Sequence, residues 1–516
     1  MTPSAKVLLI ILDGFGEGKV YSGNAVALAK TPTLTKLRKE HPWTLLKAAG
    51  RAVGIPDGTQ GGSEVGHFTI GSGRVTLQTL EEVNNAIADG SFFKKPALLE
   101  ACKRVNEGEK AALHLLGMIS DQGVHSHIAH LFALLELAKQ QKVGKIYIHA
   151  ISDGRDVPGR SVIPFIQQIQ EKIKELGMQD QAKIATIVGR YFAMDRDSNW
   201  TRIKPAYDLL TLGKGVRETD PVAAVKNAYA KGIETDYYIE ATLLDEHGVI
   251  KDKDSVIFWN FRSDRARELT WCFTGENNPK TGQPVGFKQE KVVRPFWVCT
   301  GPYSEKAPVV FPTPLIKNNL SEVISHAGLK QLRLAETQKY AHVTYFLNSQ
   351  IEKPFPGEDR IMIDSKRCHS YAEMPEMSAR EITDELLNQL KQEKYEFIAL
   401  NFANCDLVGH SGDLKASIKA VEVIDECLGK IIPVASEHGY VTMITGDHGN
   451  IEYKIYEENG EPCPSHTKNP VPFILVGGKN EGKSLPKGEL KDIAPTILKI
   501  MGIKQPPEMT GQSLIG

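Results

Sequence analysis

The sequence predicts an α/β protein whose sheets are largely parallel. Short, uniformly apolar runs recur along the 516-residue chain and end at a polar or charged residue. Amphipathic segments with helical spacing lie between them. Uniformly apolar runs are typical of strands that are buried on both faces. Strands that alternate with helices favour a parallel sheet covered by helices on both sides.

The first predicted strand is Lys6–Leu12, which is closed by Asp13 and Gly14. The same pattern recurs at residues 145–151, 183–188, 255–261, 397–402 and 440–445. The clearest amphipathic segments, which predict helices, are 127–141, 161–176, 379–394 and 414–432. Thr31 before Pro32 is typical of an N-cap followed by proline at the first helical position.

The composition argues against several classes of function. The net charge of −1 gives no general attraction to nucleic acid or to an anionic membrane, and no basic stripe interleaved with aromatic residues is present. No stretch reaches the roughly 20 apolar residues that a membrane span needs. The seven cysteines are scattered and include no Cys-x-x-Cys pair, so they predict neither a disulfide framework nor a zinc finger. They fit a reducing cytosol.

Two turn-rich stretches, residues 71–78 and 301–314, are candidate linkers. If both are linkers, residues 77–311 form a domain that is inserted into a second domain made of residues 1–76 and 312–516. This organisation places Ser63 in the same domain as the acidic and histidine motifs near the C-terminus.

Ser63 is the candidate nucleophile. It lies in the glycine-rich stretch Gly58-Thr59-Gln60-Gly61-Gly62-Ser63-Glu64-Val65-Gly66-His67. A backbone without Cβ atoms can approach an oxyanion closely and can hold one side chain in a tight turn. Taken alone, such a stretch is more often a solvated loop, so its interpretation depends on the rest of the chain.

Six potential metal ligands follow predicted strands or lie in loops: Asp13, Asp406, His410, Asp447, His448 and His466. Mixed carboxylate and imidazole ligands favour Mn²⁺, Zn²⁺ or Mg²⁺ over Cu(I). With a serine or phosphate oxygen they suffice for two ions, which can clamp the oxygens of a phosphoryl transfer. Each residue also has an ordinary role in a turn or on the surface, but all six would have to hold such roles at once. Because histidine ligands must be neutral, we expect metal binding to weaken below about pH 6.

The middle of the chain places five arginines near strand ends: Arg155, Arg190, Arg196, Arg262 and Arg265. Arginine binds carboxylate and phosphate through a planar fork, so a converging set predicts a pocket for a small polyanion. The alternative is a set of surface salt bridges with neighbouring aspartates. His125 and Lys339 add polar groups. From residue chemistry, the chain is a two-metal serine phosphotransferase or phosphatase with an anion-binding domain.

In combination, the motifs resemble the cofactor-independent (2,3-bisphosphoglycerate-independent) phosphoglycerate mutase family of the alkaline phosphatase superfamily. The resemblance rests on residues 9–14, 61–67, 125–127, 153–156, 190–196, 260–265, 336–342, 404–410, 445–450 and 466–467. It implies an alkaline-phosphatase-like three-layer sandwich domain with a second, inserted α/β domain. It also implies an isomerase that interconverts 3-phosphoglycerate and 2-phosphoglycerate in glycolysis and gluconeogenesis. The expected protein is a cytoplasmic monomer with a small-molecule substrate and two Mn²⁺ ions, for which Mg²⁺, Co²⁺ or Zn²⁺ can substitute.

The same resemblance implies a role for each site residue. Ser63 takes the phosphoryl group and becomes phosphoserine, which the other hydroxyl of the glycerate then attacks. One metal is held by Asp13, Ser63, Asp447 and His448, and the other by Asp406, His410 and His466. The substrate is bound by His125, Arg155, Asp156, Arg190, Arg196, Arg262, Arg265 and Lys339. Asp156 serves as general acid and base, and Lys339 neutralises charge on the phosphoryl oxygens.

Two alternatives remain open from the sequence. Another member of the same superfamily, a phosphatase or a sugar-phosphate mutase, would share the metal site, although the arginine set suits a small carboxylate-bearing phosphate better than a sugar. A non-catalytic protein that binds metal or anions would not need the glycine-framed Ser63. Under that alternative, Ser63→Ala would change nothing.

Overall fold

The structure is a computed structural model that describes residues 5–277, 282, 285–313, 315–478 and 484–516. The chain divides into two compact units. The first, called the outer unit here, consists of Met1–Leu77 and Leu315–Gly516, and the second, the middle unit, is Gln78–Pro314. Within the candidate linker 301–314, Pro314 lies outside the described residues.

The strands of the described residues are numbered in chain order. They are β1 (Lys6–Leu12), β2 (Trp43–Lys47), β3 (Leu113–Ile119), β4 (Ile146–Ser152), β5 (Ala182–Gly189), β6 (Val216–Arg217), β7 (Thr242–Leu243), β8 (Ser255–Phe258), β9 (Phe296–Cys299), β10 (Gln331–Glu336), β11 (Glu358–Ile363), β12 (Phe397–Phe402), β13 (Tyr440–Gly446), β14 (Val471–Val476) and β15 (Gly488–Glu489).

The α-helices are numbered in the same way. They are α1 (Ala25–Leu28), α2 (Pro32–Glu40), α3 (Ser63–Ser72), α4 (Thr79–Ala88), α5 (Pro96–Glu107), α6 (Ile128–Gln140), α7 (Val162–Glu175), α8 (Arg190–Ala193), α9 (Trp200–Leu212), α10 (Pro221–Ala230), α11 (Arg267–Thr274), α12 (Leu320–His326), α13 (Ala379–Lys391), α14 (Asn404–Gly409), α15 (Leu414–Glu437) and α16 (Ile493–Met501).

The outer unit is built on an eight-stranded sheet with the order β11-β10-β12-β1-β13-β14-β2-β15. Strands β11, β10, β12, β1 and β13 run parallel to one another, and β14 is antiparallel to β13. Leu8, Ile10 and Leu12 of β1 belong to a core that includes α13 and α15. The residues between them belong to a second core, which includes α16. The sheet is thus apolar on both faces, and the predicted three-layer α/β architecture is confirmed.

The middle unit has its own seven-stranded sheet, with the order β6-β7-β5-β4-β3-β8-β9. Strands β5, β4, β3, β8 and β9 are parallel, and β7 is antiparallel to β5. Leu115 of β3 packs in a core with α5, α6 and α7, whereas its neighbour Leu116 packs in another with α9 and α11. The second α/β domain expected from the sequence is therefore also a layered structure with helices on both faces.

Most of the predicted elements occur within one or two residues of their expected bounds, with three clear exceptions. Helix α13 ends at Lys391, whereas the amphipathic pattern predicted a helix to residue 394. Strand β8 ends at Phe258, whereas the apolar run predicted a strand to residue 261. Helix α15 continues through Pro433 to Glu437, although it was expected to end at residue 432. It continues because its apolar face reaches Ala435, which is fully buried in the core. That burial offsets the backbone hydrogen bond that proline removes.

Thr31 does not cap α2 as expected. The helix does begin at Pro32, but the Thr31 side chain makes no capping hydrogen bond. Asp425 of α15 takes this role, since its carboxylate accepts from the backbone N–H of Thr33 at 3.0 Å and of Leu34 at 2.7 Å. A carboxylate beside the first N–H groups of a helix satisfies donors that have no partner in the helix and interacts favourably with its dipole.

None of the helices in the described residues has the length and apolar character needed to cross a membrane. The seven cysteines are all free thiols, and six of them are buried. They therefore contribute to packing and form no covalent framework.

Candidate active site

The candidate site of the outer unit lies at the carboxyl edge of four neighbouring strands, β10, β12, β1 and β13. Asp13 follows β1 directly, and Asp447 follows β13 directly. Asp406 lies in α14, just after β12, and Lys339 lies three residues after β10. Because parallel strands all end at one edge of a sheet, these four side chains converge.

Ser63 is the first residue of α3 and is 8% exposed. Its Oγ lies 2.9 Å from Asp13 Oδ1, 2.9 Å from His448 Nε2 and 2.7 Å from Lys339 Nζ. A hydroxyl that accepts from an ammonium group and donates to a carboxylate is polarised toward the alkoxide. The geometry therefore suits Ser63 as a nucleophile.

The glycines around Ser63 are required by close packing. A Cβ atom on Gly61 would lie 2.1 Å from the carbonyl oxygen of Ala48, and one on Gly66 would lie 2.6 Å from that of Asp447. Side chains at these positions would push α3 away from the strand end that carries Asp447. The glycine-rich stretch thus brings the nucleophile to the aspartates.

Lys339 is the central cation of this site, and it is 4% exposed. Its Nζ donates to Asp13 Oδ1, Ser63 Oγ and Asp406 Oδ2, each at 2.7 Å. Burial alone would lower the pKa of Lys339, but the surrounding carboxylates outweigh burial and raise the pKa above its ordinary value. The ammonium group is therefore charged. A single-turn π-helix, His342–Phe346, follows it, and such turns are frequent at functional sites.

Asp13 and Asp406 are ionised in this environment. Burial would raise the pKa of each, but Lys339 holds both well below their usual range, helped by hydrogen bonds from neighbouring histidines. The site therefore concentrates negative charge in a water-poor setting. Cations must compensate that charge if the fold is to be stable.

Two imidazole nitrogens converge beside Asp406. His466 Nδ1 lies 2.8 Å from the Gly61 carbonyl oxygen, and His410 Nδ1 lies 2.9 Å from that of Pro464. A carbonyl only accepts, so each Nδ1 carries a proton, and each ring in its neutral form presents a lone pair at Nε2. The two Nε2 atoms are 3.0 Å apart and lie 3.0 Å (His466) and 3.3 Å (His410) from Asp406 Oδ1. This donor set fits a divalent cation.

A second group fits a cation equally well. The potential ligand atoms of Asp13, Asp447 and His448 all lie within 4.8 Å of one another, as do those of Asp406, His448 and His466. Asp447 Oδ1 accepts from the backbone N–H groups of Gly14 and His448, whereas its buried Oδ2 accepts no hydrogen bond from the described residues. A buried carboxylate oxygen without a donor is a position where a metal would be stabilised. The structure thus brings together all seven predicted ligands, with His448 close to both groups.

Three further residues position these ligands and were not predicted as site residues from the sequence: Glu452, Asn450 and Lys454. The buried Glu452 accepts from the backbone N–H groups of Gly16 and Asn450 through Oε2, and from Thr467 and Asn469 through Oε1. It thereby joins the loops that carry Asp13, His448 and His466. The sequence signal for these three residues was the polar run that continues past Asp447-His448 to Lys454.

Asn450 and Lys454 act on Asp406 and its helix. Asn450 Nδ2 donates to Asp406 Oδ1 at 2.9 Å. The fully buried Lys454 donates to the side-chain oxygen of Asn450 and to the carbonyl oxygen of Gly409 at 2.9 Å. Because the Asn450 oxygen faces an ammonium group, its NH₂ group must face Asp406.

The middle unit places its predicted residues at the carboxyl edge of β5, β4, β3 and β8. Arg190 directly follows β5, is 2% exposed, and donates from Nη1 to Asp153 and Asp156, at 2.6 Å to each. Arg196 and Arg262 bind the two oxygens of Asp264, at 3.1 and 3.2 Å.

The remaining two arginines join the same cluster. Arg265 donates to the carbonyl oxygen of Met194 at 2.9 Å. Burial lowers the pKa of Arg265, and the nearby positive charges of Arg196, Arg190 and Arg155 lower it further. These interactions show that the five arginines converge.

Five guanidinium groups face three carboxylates, Asp153, Asp156 and Asp264, which leaves an excess of two positive charges for an anion. Arg196 and Arg262 are about half exposed and pair with Asp264, as the alternative of surface salt bridges expects, whereas Arg190 is buried.

His125 is buried and lies within the arginine cluster. Burial and the charge of Arg190 lower its pKa to about 4, so the imidazole is neutral at pH 7. Its Nδ1 neither accepts nor donates a hydrogen bond within the described residues, and it lies 3.6 Å from Asp264 Oδ1. A buried, neutral imidazole with an open ring nitrogen suits hydrogen bonding to a ligand.

The chain is similar to known proteins over nearly its whole length. Residues 5–505 match the family model of the Metalloenzyme superfamily. The chain is 48% identical to 2,3-bisphosphoglycerate-independent phosphoglycerate mutase 1 of Methanosarcina acetivorans, over 99% of this chain and 98% of the relative. It is 47% identical to the 2,3-bisphosphoglycerate-independent phosphoglycerate mutase of Moorella thermoacetica, with the same coverage. It also resembles the phosphoglycerate mutase structure of Leishmania mexicana solved at low cobalt concentration, with a TM-score of 0.67, 30% identity and coverage of 99% and 98%.

Metal binding should release protons at higher pH than it would if the histidine ligands had their ordinary pKa. Burial would lower the pKa of His448, but Asp447, Asp13 and Asp406 outweigh it and raise the pKa to about 9. A hydrogen bond with Asp406 likewise raises the pKa of His410. A raised pKa means that the metal-free site holds protons that a cation must displace. Between about pH 6.5 and 8.5, we expect the Mn²⁺ affinity to increase with pH. Each proton that the cation displaces contributes up to about tenfold per pH unit.

Isothermal titration of EDTA-treated protein with Mn²⁺, repeated in two buffers of different ionisation enthalpy, measures both the affinity and the number of protons released. An affinity that stays constant over this range, with no proton release, would contradict the assignment of His448 as a ligand.

Proposed function

We propose that this chain, which belongs to the 2,3-bisphosphoglycerate-independent phosphoglycerate mutase family, interconverts 3-phosphoglycerate and 2-phosphoglycerate through a phosphoserine at Ser63. It is thus an isomerase of glycolysis and gluconeogenesis that needs divalent metal. The observation that carries the proposal is the position of the Ser63 hydroxyl, within 2.9 Å of a carboxylate, an imidazole and an ammonium group.

The outer unit supplies the nucleophile. Ser63 Oγ attacks phosphorus, the bond from phosphorus to the glycerate oxygen breaks, and the Ser63 proton passes to Asp13 Oδ1. Lys339 donates to the phosphoryl oxygens as negative charge builds on them. In the second half of the reaction the other glycerate hydroxyl attacks phosphoserine, and Ser63 regains its proton.

The ligand sets fit two divalent ions. Asp13, Ser63, Asp447 and His448 would hold one, and Asp406, His410 and His466 the other. Bound there, such ions would stabilise charge on the phosphoryl oxygens and favour ionisation of the serine hydroxyl. We propose Mn²⁺ as the ion in use, with Mg²⁺, Co²⁺ or Zn²⁺ as substitutes, because the ligands are carboxylates and imidazoles without thiolate.

The middle unit binds and orients the glycerate. Its proposed substrate-binding set is His125, Arg155, Asp156, Arg190, Arg196, Arg262 and Arg265. In the outer unit, Lys339 is proposed to bind the phosphoryl group. Guanidinium groups bind the substrate carboxylate bidentately, which fixes the orientation of the two hydroxyls. Asp156, held by Arg190 at 2.6 Å, is assigned the proton transfers to and from the glycerate oxygens.

We also propose that the protein is a cytoplasmic monomer with a small molecule as its substrate. The free thiol state of all seven cysteines supports a reducing compartment. The near-zero net charge supports the absence of a nucleic-acid partner or an anionic membrane partner.

The proposed activity is tested by an enolase-coupled assay with 3-phosphoglycerate and no 2,3-bisphosphoglycerate. We expect wild-type protein to lose turnover in EDTA and to regain it with Mn²⁺. Ser63→Ala should lower kcat by about 10³-fold or more, because it removes the attacking oxygen. Ser72→Ala, at the other end of α3, is the matched control and should keep its activity, since its hydroxyl bonds only to backbone groups. Release of free phosphate without 2-phosphoglycerate would instead identify a phosphatase.

Arg190→Lys tests the anion cluster. Lysine keeps the charge but cannot reproduce the planar fork, so we expect the KM for 3-phosphoglycerate to rise by about tenfold. Arg217→Lys is the control, because Arg217 makes only an exposed ion pair with Glu246 at 3.7 Å and its replacement should leave KM unchanged. Equal KM values for both variants and wild type would exclude Arg190 from substrate binding. Circular dichroism spectra establish that each variant is folded.

A further inference from the structure

His67 is the last residue of the glycine-rich stretch, and it is not among the proposed catalytic, substrate-binding or metal-binding residues. It is fully buried, one helical turn after Ser63. Its Nδ1 lies 2.9 Å from the carbonyl oxygen of Ser63 and 3.2 Å from Asp447 Oδ2, and its Nε2 lies 3.0 Å from Asn401 Nδ2. Asn401 in turn donates to Asp13 Oδ2 at 2.8 Å. One chain of hydrogen bonds therefore connects Asp13 to the backbone of Ser63, and it places His67 Nδ1 beside Asp447 Oδ2.

The orientation of the Asn401 amide is fixed by Asp13. A carboxylate that pairs with the Lys339 ammonium group at 2.7 Å only accepts, so the amide group that lies 2.8 Å from its Oδ2 must donate. Only the amide nitrogen can do so, whereas a rotated amide would place an oxygen against an oxygen. The same nitrogen therefore also faces His67 Nε2.

The orientation of the amide fixes the tautomer of His67. An amide NH₂ group donates only, so His67 Nε2 must present its lone pair. The imidazole proton then resides on Nδ1, where it donates to the Ser63 carbonyl oxygen and faces Asp447 Oδ2. Each of these hydrogen bonds therefore has a fixed donor. Asn401 donates to Asp13 Oδ2 and to His67 Nε2, and His67 Nδ1 donates to the carbonyl oxygen of Ser63.

We propose that Asn401 and His67 are positioning residues for the nucleophile and for one metal group, an inference that rests on the proposed function. By occupying Asp13 Oδ2, Asn401 reserves Oδ1 for the Ser63 hydroxyl and Lys339. By donating from Nδ1, His67 anchors the first turn of α3 and holds Asp447 Oδ2 beside it. The pair thus sets which carboxylate oxygens of Asp13 and Asp447 face Ser63 and a cation. Residues that orient metal ligands in this way typically control affinity and rate by about 10- to 100-fold.

The first test is spectroscopic and does not depend on activity. In protein labelled with ¹⁵N-histidine, metal-free or loaded with diamagnetic Mg²⁺, the His67 resonances are identified by their loss in His67→Gln. We expect a lone-pair shift for Nε2 and a protonated shift for Nδ1. Asn401→Asp, which has the same shape but accepts instead of donating, should transfer a proton to Nε2. A protonated Nε2 in the wild type would overturn the proposal.

The second test separates positioning from general stability. We expect Asn401→Asp to lower kcat and Mn²⁺ affinity by about 10- to 100-fold each, with the KM for 3-phosphoglycerate within about twofold of wild type. Asn348→Asp is the matched control, because Asn348 is also fully buried in the outer unit and also donates to a carboxylate, Glu358, at 2.8 Å. It should lower the melting temperature but leave kcat and Mn²⁺ affinity unchanged.

Equal effects of the two variants would show that Asn401 is merely structural. If the protein has no mutase activity at all, the ¹⁵N shifts and the Mn²⁺ titration still decide whether Asn401 and His67 orient the metal ligands.

Discussion

The outer unit depends on the compensation of buried negative charge. Asp13, Asp406 and Asp447 are each at most 3% exposed, and they meet at one edge of one sheet. An uncompensated carboxylate in such surroundings costs several kcal/mol, so these three can coexist only with cations among them. Lys339 supplies one positive charge, and a protonated His448 can supply another. The deficit that remains explains why this edge of the sheet is suited to divalent metal.

That constraint accounts for the surrounding structure. Gly61 and Gly66 allow α3 to approach the aspartates, so that Ser63 lies beside the same cation. Glu452 ties the ligand-bearing loops to one another. The arrangement that stabilises the buried carboxylates is therefore also the arrangement that activates a hydroxyl and receives a phosphoryl group. The middle unit shows the reverse polarity, because its arginines outnumber the aspartates that face them.

The parts of the fold and site that could be predicted from sequence share a physical origin. A uniformly apolar run such as Lys6–Leu12 predicts a strand, and a polar residue that ends it predicts a group at the sheet edge. Strand β10 was not predicted, because Gln331, Arg333 and Glu336 interrupt its apolar pattern although all three are fully buried. Asn401 was hidden inside an otherwise apolar strand, and the role of Asp425 in capping α2 depends on a contact between distant helices. Such roles arise from tertiary neighbours, which a local pattern does not reveal.

The central claim is that the phosphoryl group leaves a glycerate for Ser63 and returns to the same glycerate. It is tested by incubating the enzyme with unlabelled 3-phosphoglycerate and with substrate carrying ¹³C in the glycerate and ¹⁸O in the phosphoryl group. Mass spectrometry of the 2-phosphoglycerate formed should then find doubly labelled and unlabelled product only. Product with only one of the two labels would mean that the phosphoryl group passes between glycerate molecules, and would contradict this account.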